Sequence, residues 1–226
     1  MKTAITLALL SLLTPITLHA QTPAVDIAAA GEACTRYMNS LRSNPASARD
    51  ALAAATATLD RLNLTEAGLF ASMDQAAPAV TGTDRFYVLA DLAKLAFDNG
   101  QPERAQTYAR ELLRLAPDYR KDWNYGNAIF YGNFVLGRVA LARGNVELAK
   151  QYLLDAGSTP GSPQLDTFGP NVTLAKELLE KGQAPTVLRF LALCKEFWKM
   201  DRGRLAEWTD AIRSGSTPDF SANLNY

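Results

Sequence analysis

"LGRVALARGNVELAKQYLL", residues 136–154, decides how this chain folds. Apolar residues recur at helical spacing on both sides of Gly144. Gly144 offers a left-handed position that ends one helix, and Asn145 offers a side-chain oxygen that caps the next. The stretch therefore reads as a helical hairpin.

The same punctuation occurs twice more. In "DRFYVLADLAKLAFDNGQPERAQTYARELLRLAPD", residues 84–118, Asn99-Gly100 closes one helix. Pro102 opens the next where no donor is lost, and Pro117 ends it. In "NVTLAKELLEKGQAPTVLRFLALCKEFW", residues 171–198, Gly182 marks the turn. A closing segment, "RGRLAEWTDAIRSG", puts Leu205, Trp208 and Ile212 on one face. Sustained period-two alternation is missing throughout, so the sequence predicts an all-α fold, a helical-hairpin repeat array. Its turn glycines fall at 100, 144 and 182, a loose period with the surplus between hairpins.

Toward the N-terminus the composition changes. "AITLALLSLLTPITL" follows Lys2 and precedes the small Ala20, which reads as an export signal over residues 1–20. Residues 21–82 read as an N-terminal helical region. It holds the alanine-rich "PASARDALAAATATLDRLNL", with Leu52, Leu59 and Leu62 as its stripe, and ends in breaker-rich sequence. Residues 83–226 form the repeat domain, closed by a C-terminal capping helix. No segment after the signal has the apolar length of a membrane span, so the sequence predicts a periplasmic or secreted protein without membrane insertion.

The totals bear on chemistry. With 23 basic and 23 acidic residues, the chain lacks the cationic excess of a nucleic-acid binder. His19, the single histidine, leaves with the signal. The mature chain then lacks the commonest general base and metal ligand, which disfavours catalysis and histidine-bound metal. Neither a metal site nor a cofactor motif is expected. Cys34 and Cys194 are too far apart in sequence for a redox or metal pair. A disulfide between them and two buried thiols are both open readings. The sequons at Asn63 and Asn171 matter only in a glycosylating host.

The hairpins resemble the tetratricopeptide repeat, a helix-turn-helix unit of about 34 residues. Leu136-Gly137, Gly144 and Ala149 match its leucine-glycine pair, turn glycine and second-helix alanine. Leu92-Ala93, Gly100, Ala105 and Pro117 match in the first unit. Leu174-Ala175 and Gly182 match in the third, where Val187 replaces the alanine. The resemblance covers about residues 84–200 and implies a tetratricopeptide-like α-solenoid with a concave binding face. The segment from Gly137 to Gly182 also resembles bacterial repeat proteins carrying a PGSPQL-type loop, a group with no assigned activity.

Three features are candidates for function. In the repeat frame starting at Phe86, Phe130 and Phe168, the ninth position is Lys94, Arg138 and Lys176. The resemblance implies that this column faces the groove, where three cations suit a carboxylate-rich partner. Snorkelling surface cations are the plainer alternative. In "DWNYGNAIFYGNF", residues 122–134, Asn127 and Tyr131 are candidate groove contacts, with Tyr87 from the first unit. The other reading has Trp123, Phe130 and Phe134 in the core and the asparagines capping a helix. Finally, "GSTPGSPQLDTFGPN", residues 157–171, carries prolines at 160, 163 and 170 and glycines at 157, 161 and 169. It reads as an ordered connector packed by Leu165 and Phe168. Gln164, Asp166 and Asn171 are its candidates for ligand contact. Glu103, Glu111, Glu147, Glu177 and Glu180 read as solvated helix faces.

These residues point to a non-enzymatic protein-binding or scaffold module, with a protein or peptide partner. The partner is acidic if the basic column reads it. The alternative is a histidine-independent envelope enzyme with carboxylate or tyrosine groups in the groove, and a structural subunit is a third reading.

Overall fold

A computed structural model of the chain describes residues 70–224, apart from 72 and 76. The export signal expected over residues 1–20, the helix expected in the alanine-rich stretch with Leu52, Leu59 and Leu62, and Cys34 lie outside the described residues. Thr83–Tyr226 form one compact unit, and the chain up to Gly82 belongs to another.

From Gly82 onward the order is α1 (Gly82–Asp98), α2 (Pro102–Leu115), a 3-10 turn (Ala116–Tyr119), α3 (Tyr125–Ala142) and α4 (Val146–Gly157). Then follow α5 (Pro163–Phe168), α6 (Thr173–Glu180), α7 (Ala184–Phe197), α8 (Arg204–Arg213) and a 3-10 turn (Ser221–Leu224). The regular structure among the described residues is helical.

The hairpins α1/α2, α3/α4 and α6/α7 share one turn. Gly100, Gly144 and Gly182 have φ of 72°, 79° and 76°. The residue after each glycine donates its N–H to a carbonyl five positions back: Gln101 to Ala96 at 2.9 Å, Asn145 to Ala140 at 2.9 Å, and Gln183 to Leu178 at 3.0 Å. This closes the helix end by satisfying carbonyls that would otherwise lack donors. The same geometry ends α8, where Gly215 has φ 83° and Ser216 donates to Ala211 at 2.9 Å. Helix α8 thus ends as the first helix of a hairpin does, but the chain then turns back instead of forming a second helix.

Helix α3 packs against both α2 and α4, α7 against α4, α6 and α8. The contact faces are apolar: Ala105, Ala109 and Leu112 on α2, Ala149 and Leu153 on α4, Val187, Phe190 and Leu191 on α7 are all buried. The architecture is therefore a set of helical hairpins packed in repetition, as the periodicity predicts.

The 157–171 connector is ordered, and it is built around a backbone contact. A Cβ on Gly126 would lie 1.7 Å from the carbonyl oxygen of Gly161. Thr159 sits in the same contact and donates its hydroxyl to Gly126 O at 2.7 Å. Leu165 is buried as expected, but Phe168 is 52% exposed. The reason lies one residue on. Gly169 has φ 83° and turns the chain, and the Trp198 ring takes the interior place against it, 2.4 Å from where a Cβ would be. Trp198 carries a cost there, because its buried Nε1–H has no hydrogen-bond acceptor.

The tail covers this connector from outside. Asn223 Nδ2 donates to Phe168 O at 3.0 Å and Pro170 O at 3.1 Å, and Asn223 O accepts the Val172 N–H at 2.9 Å. Phe220 packs edge-on against Trp208 at 5.1 Å.

Gly126→Ala should lower unfolding free energy by at least about 2 kcal/mol, because backbone cannot yield as a side-chain tip can. Urea denaturation checks this. A variant as stable as the parent contradicts the contact.

Candidate functional site

The three cations of the repeat column are all ion-paired within the chain. Lys94 on α1 pairs with Asp91 at 2.9 Å, and its Nζ stands 4.4 Å from the Tyr131 ring centroid on α3. Burial favours the neutral amine, but Asp91, Tyr131 and Asp98 together outweigh it and push the Lys94 pKa up. Lys176 on α6 pairs with Glu180, one turn on.

Arg138 on α3 has the largest role. Its Nε and Nη2 reach Glu177 Oε1 on α6 at 3.1 and 2.9 Å, and its Nη1 reaches Asp98 on α1 at 2.8 Å. Its guanidinium lies 4.4 Å from the Phe97 ring centroid. One planar cation therefore links the first helices of all three hairpins. The column holds Lys94, Arg138 and Lys176 against Asp91, Asp98, Glu177 and Glu180, so it carries no excess of positive charge.

The other candidates fall into two groups. Asn127 is buried, and it joins the start of α3 to the connector. Its Nδ2 donates to Asn124 Oδ1 at 2.8 Å and to Gln164 Oε1 at 2.9 Å. Its Oδ1 accepts from Ser162 Oγ at 2.6 Å. Ser162 in turn caps α5 by accepting the Leu165 N–H at 3.0 Å. Two residues singled out separately, Asn127 and Gln164, thus meet in one polar knot. Asp166 accepts the Lys199 N–H at 2.9 Å, and buried Asn171 accepts the Thr173 N–H at 2.8 Å. Tyr131 is buried edge-on to Phe130 and Phe134. Asn127, Gln164, Asp166 and Asn171 spend polar atoms on holding loop and helices together.

Tyr87 belongs to the second group. Its hydroxyl donates to Asp122 Oδ2 at 2.8 Å, and its ring lies 5.8 Å from that of Trp123. Burial and this carboxylate raise the phenol pKa. Asp122 Oδ1 also accepts the Asn124 N–H at 2.8 Å, which fixes the turn into α3. Trp123 is held by this rigid turn and is 56% exposed, not packed in the core with Phe130 and Phe134. The turn puts Trp123 just before the first residue of α3, outside the helical register that buries the later aromatics. Sequence position alone gave no signal for this.

The five glutamates are all partnered: Glu103 with Arg143, Glu111 with Arg85, Glu147 with Lys150, Glu177 with Arg138 and Glu180 with Lys176. The Arg85 pair is the most enclosed, bonded at 2.9 and 2.6 Å. Hydrogen bonding from Arg85 lowers the Glu111 pKa despite partial burial. Cys194 is a buried free thiol whose pKa burial drives well above the ordinary value. The Cys34 half of the disulfide reading lies outside the described residues. Among the described residues, no group of three His, Cys, Asp or Glu side chains is placed to hold a metal ion. No described helix is long and apolar enough to cross a membrane.

Comparison with known proteins gives no matching family model, no matching curated protein and no matching solved structure.

Two outcomes follow from this geometry. Asn127→Ala removes the buried centre of this knot and should cost about 1–3 kcal/mol by urea denaturation, because buried Asn124 Oδ1 loses its donor. The Glu111 carboxyl has a lowered folded-state pKa. Its contribution to stability is therefore present above the unfolded value of about 4.3 and is lost as pH falls through the folded value. The stability gap between the parent and Glu111→Gln should narrow between about pH 7 and about pH 3. A gap that stays constant removes the ion pair as its cause.

Proposed function

We propose that Thr83–Tyr226 is a tetratricopeptide-like α-solenoid that binds a protein or peptide, within a protein exported to the periplasm or beyond. The single observation that carries this reading is Trp123. A large aromatic, more than half exposed, is fixed on a rigid helix entry with Tyr87 against it. Exposed, pre-positioned aromatics of this kind anchor protein interfaces, because they bury much area with little loss of side-chain freedom.

The partner chemistry follows from the column. Lys94, Arg138 and Lys176 each hold a carboxylate of their own chain, so a partner competing for them would first break existing pairs. This favours a partner read through an aromatic anchor over one read through acidic side chains. The repeated turns and the α3 links support a scaffold rigid enough to present that anchor.

Photocross-linking from position 123, in cells that export the full chain, tests the reading. The expected result is one dominant cross-linked protein that Trp123→Ala no longer retains in affinity purification, at unchanged helicity. Charge reversal at Lys94 and Lys176 should leave it retained. If Trp123→Ala retains the same partner, the anchor is refuted. Export is checked separately by cell fractionation and by an N-terminus at Gln21.

A further inference from the structure

We propose that Trp123, backed by Tyr87, Asp122 and Asp84, receives an arginine side chain of the protein partner. This rests on the aromatic-anchor reading above and names the chemistry that the anchor takes.

The chain builds the same arrangement three times for its own cations. Lys94 Nζ stands 4.4 Å from the Tyr131 ring centroid and pairs with Asp91 at 2.9 Å. The Arg138 guanidinium stands 4.4 Å from the Phe97 centroid and pairs with Asp98 at 2.8 Å. The Arg85 guanidinium stands 5.6 Å from the Tyr108 centroid and pairs with Glu111 at 2.6 Å. Each time an aromatic ring and a carboxylate together hold one cation.

Trp123 and Asp122 repeat the combination of ring and acid. They are neighbours in sequence, as Phe97 and Asp98 are. Tyr87 joins them, with its ring 5.8 Å from that of Trp123 and its hydroxyl donating to Asp122 Oδ2 at 2.8 Å. Asp84 is exposed and stands one turn before Tyr87 on α1. Here the chain supplies no cation of its own: among the described residues none lies over the Trp123 ring. Arg85, next to Asp84, is held by Glu111. Arg120 and Lys121 precede Asp122 and are exposed, but among the described residues neither is ion-paired with Asp122 or Asp84. The charges acting on the Tyr87 hydroxyl are negative. Burial raises its pKa, Asp122 and Asp84 add to the rise, and the one opposing influence is the Trp123 indole.

The chemistry of the site selects a guanidinium. An indole face is the best of the aromatic faces for a cation. Tyr87 has spent its donor on Asp122, so what the site offers outward is a ring face and carboxylate oxygens. A guanidinium is flat, so it stacks on a ring while its edge donates to a carboxylate. It carries five N–H donors and no acceptor that would need a donor in return.

The test uses the full chain, purified from cells that export it, and two dye-labelled probe peptides read by fluorescence anisotropy. One alternates arginine with glycine, and the other carries citrulline, the uncharged isostere, at each arginine. The arginine peptide should bind about tenfold more tightly. Trp123→Leu keeps apolar bulk and removes the ring face, and Asp84→Asn removes an exposed charge. Each should weaken the arginine peptide about fivefold, at unchanged helicity and Tm. Glu196→Gln, at an exposed carboxylate elsewhere, should bind as the parent does. Equal binding of the two peptides, or no binding of either, overturns the proposal. So does an arginine affinity that Trp123→Leu leaves unchanged, or an equal loss in Asp84→Asn and Glu196→Gln. The partner cross-linked from position 123 separates this proposal from the reading it rests on. A partner lost with Trp123→Ala but kept by both Trp123→Leu and Asp84→Asn leaves the aromatic anchor standing and removes the arginine. A partner kept by Trp123→Ala removes the anchor itself.

Discussion

The close approach of neighbouring segments to the glycines of α3 governs this unit. Gly126 touches the connector, Gly132 lets the Leu113 side chain of α2 reach the helix, and Gly137 makes room for Leu174 of α6 beside Tyr152 of α4. Each glycine in a helix interior costs about 1 kcal/mol relative to alanine. Helix α3 carries two of these, Gly132 and Gly137, beside Gly126 in its first turn, and at all three it gains contact at distances a Cβ would forbid. The identical turns at Gly100, Gly144 and Gly182 set the direction of each second helix. The α3 glycines set how near those helices come.

Polar groups near this hub have to be satisfied, and they are satisfied by residues distant in sequence. Arg138 joins α1, α3 and α6, while Asn127 joins α3 to the connector. Both are costly to enclose unless their partners are in place. They therefore favour the one arrangement of hairpins that brings those partners together. The connector and the tail then behave as parts of the same packing, since Asn223 holds the carbonyls of Phe168 and Pro170.

The hairpins were legible in the sequence because their signals are local. A glycine after an apolar stripe and a proline or asparagine before the next one report on the few residues around them, and the turns formed where those residues stand. The 157–171 stretch was half legible. Its glycines and prolines announced order, and Leu165 is buried, but Phe168 is displaced by Trp198, which no local rule connects to it. The site candidates were the least legible. Asn127 and Gln164 each look like a free polar side chain until the fold brings them within 2.9 Å.

The cations illustrate the same limit with a functional consequence. Counting positive residues in a repeat column ignores the carboxylates that the neighbouring turns of α1 and α6 bring beside it, so Lys94, Arg138 and Lys176 read as a basic stripe in sequence and as ion pairs in space. The glutamates of α2, Glu103 and Glu111, pair with Arg143 at the end of α3 and Arg85 on α1. What a partner meets is set by which charges the fold has already paired, and here Arg138 pairs them where the first helices of the three hairpins meet.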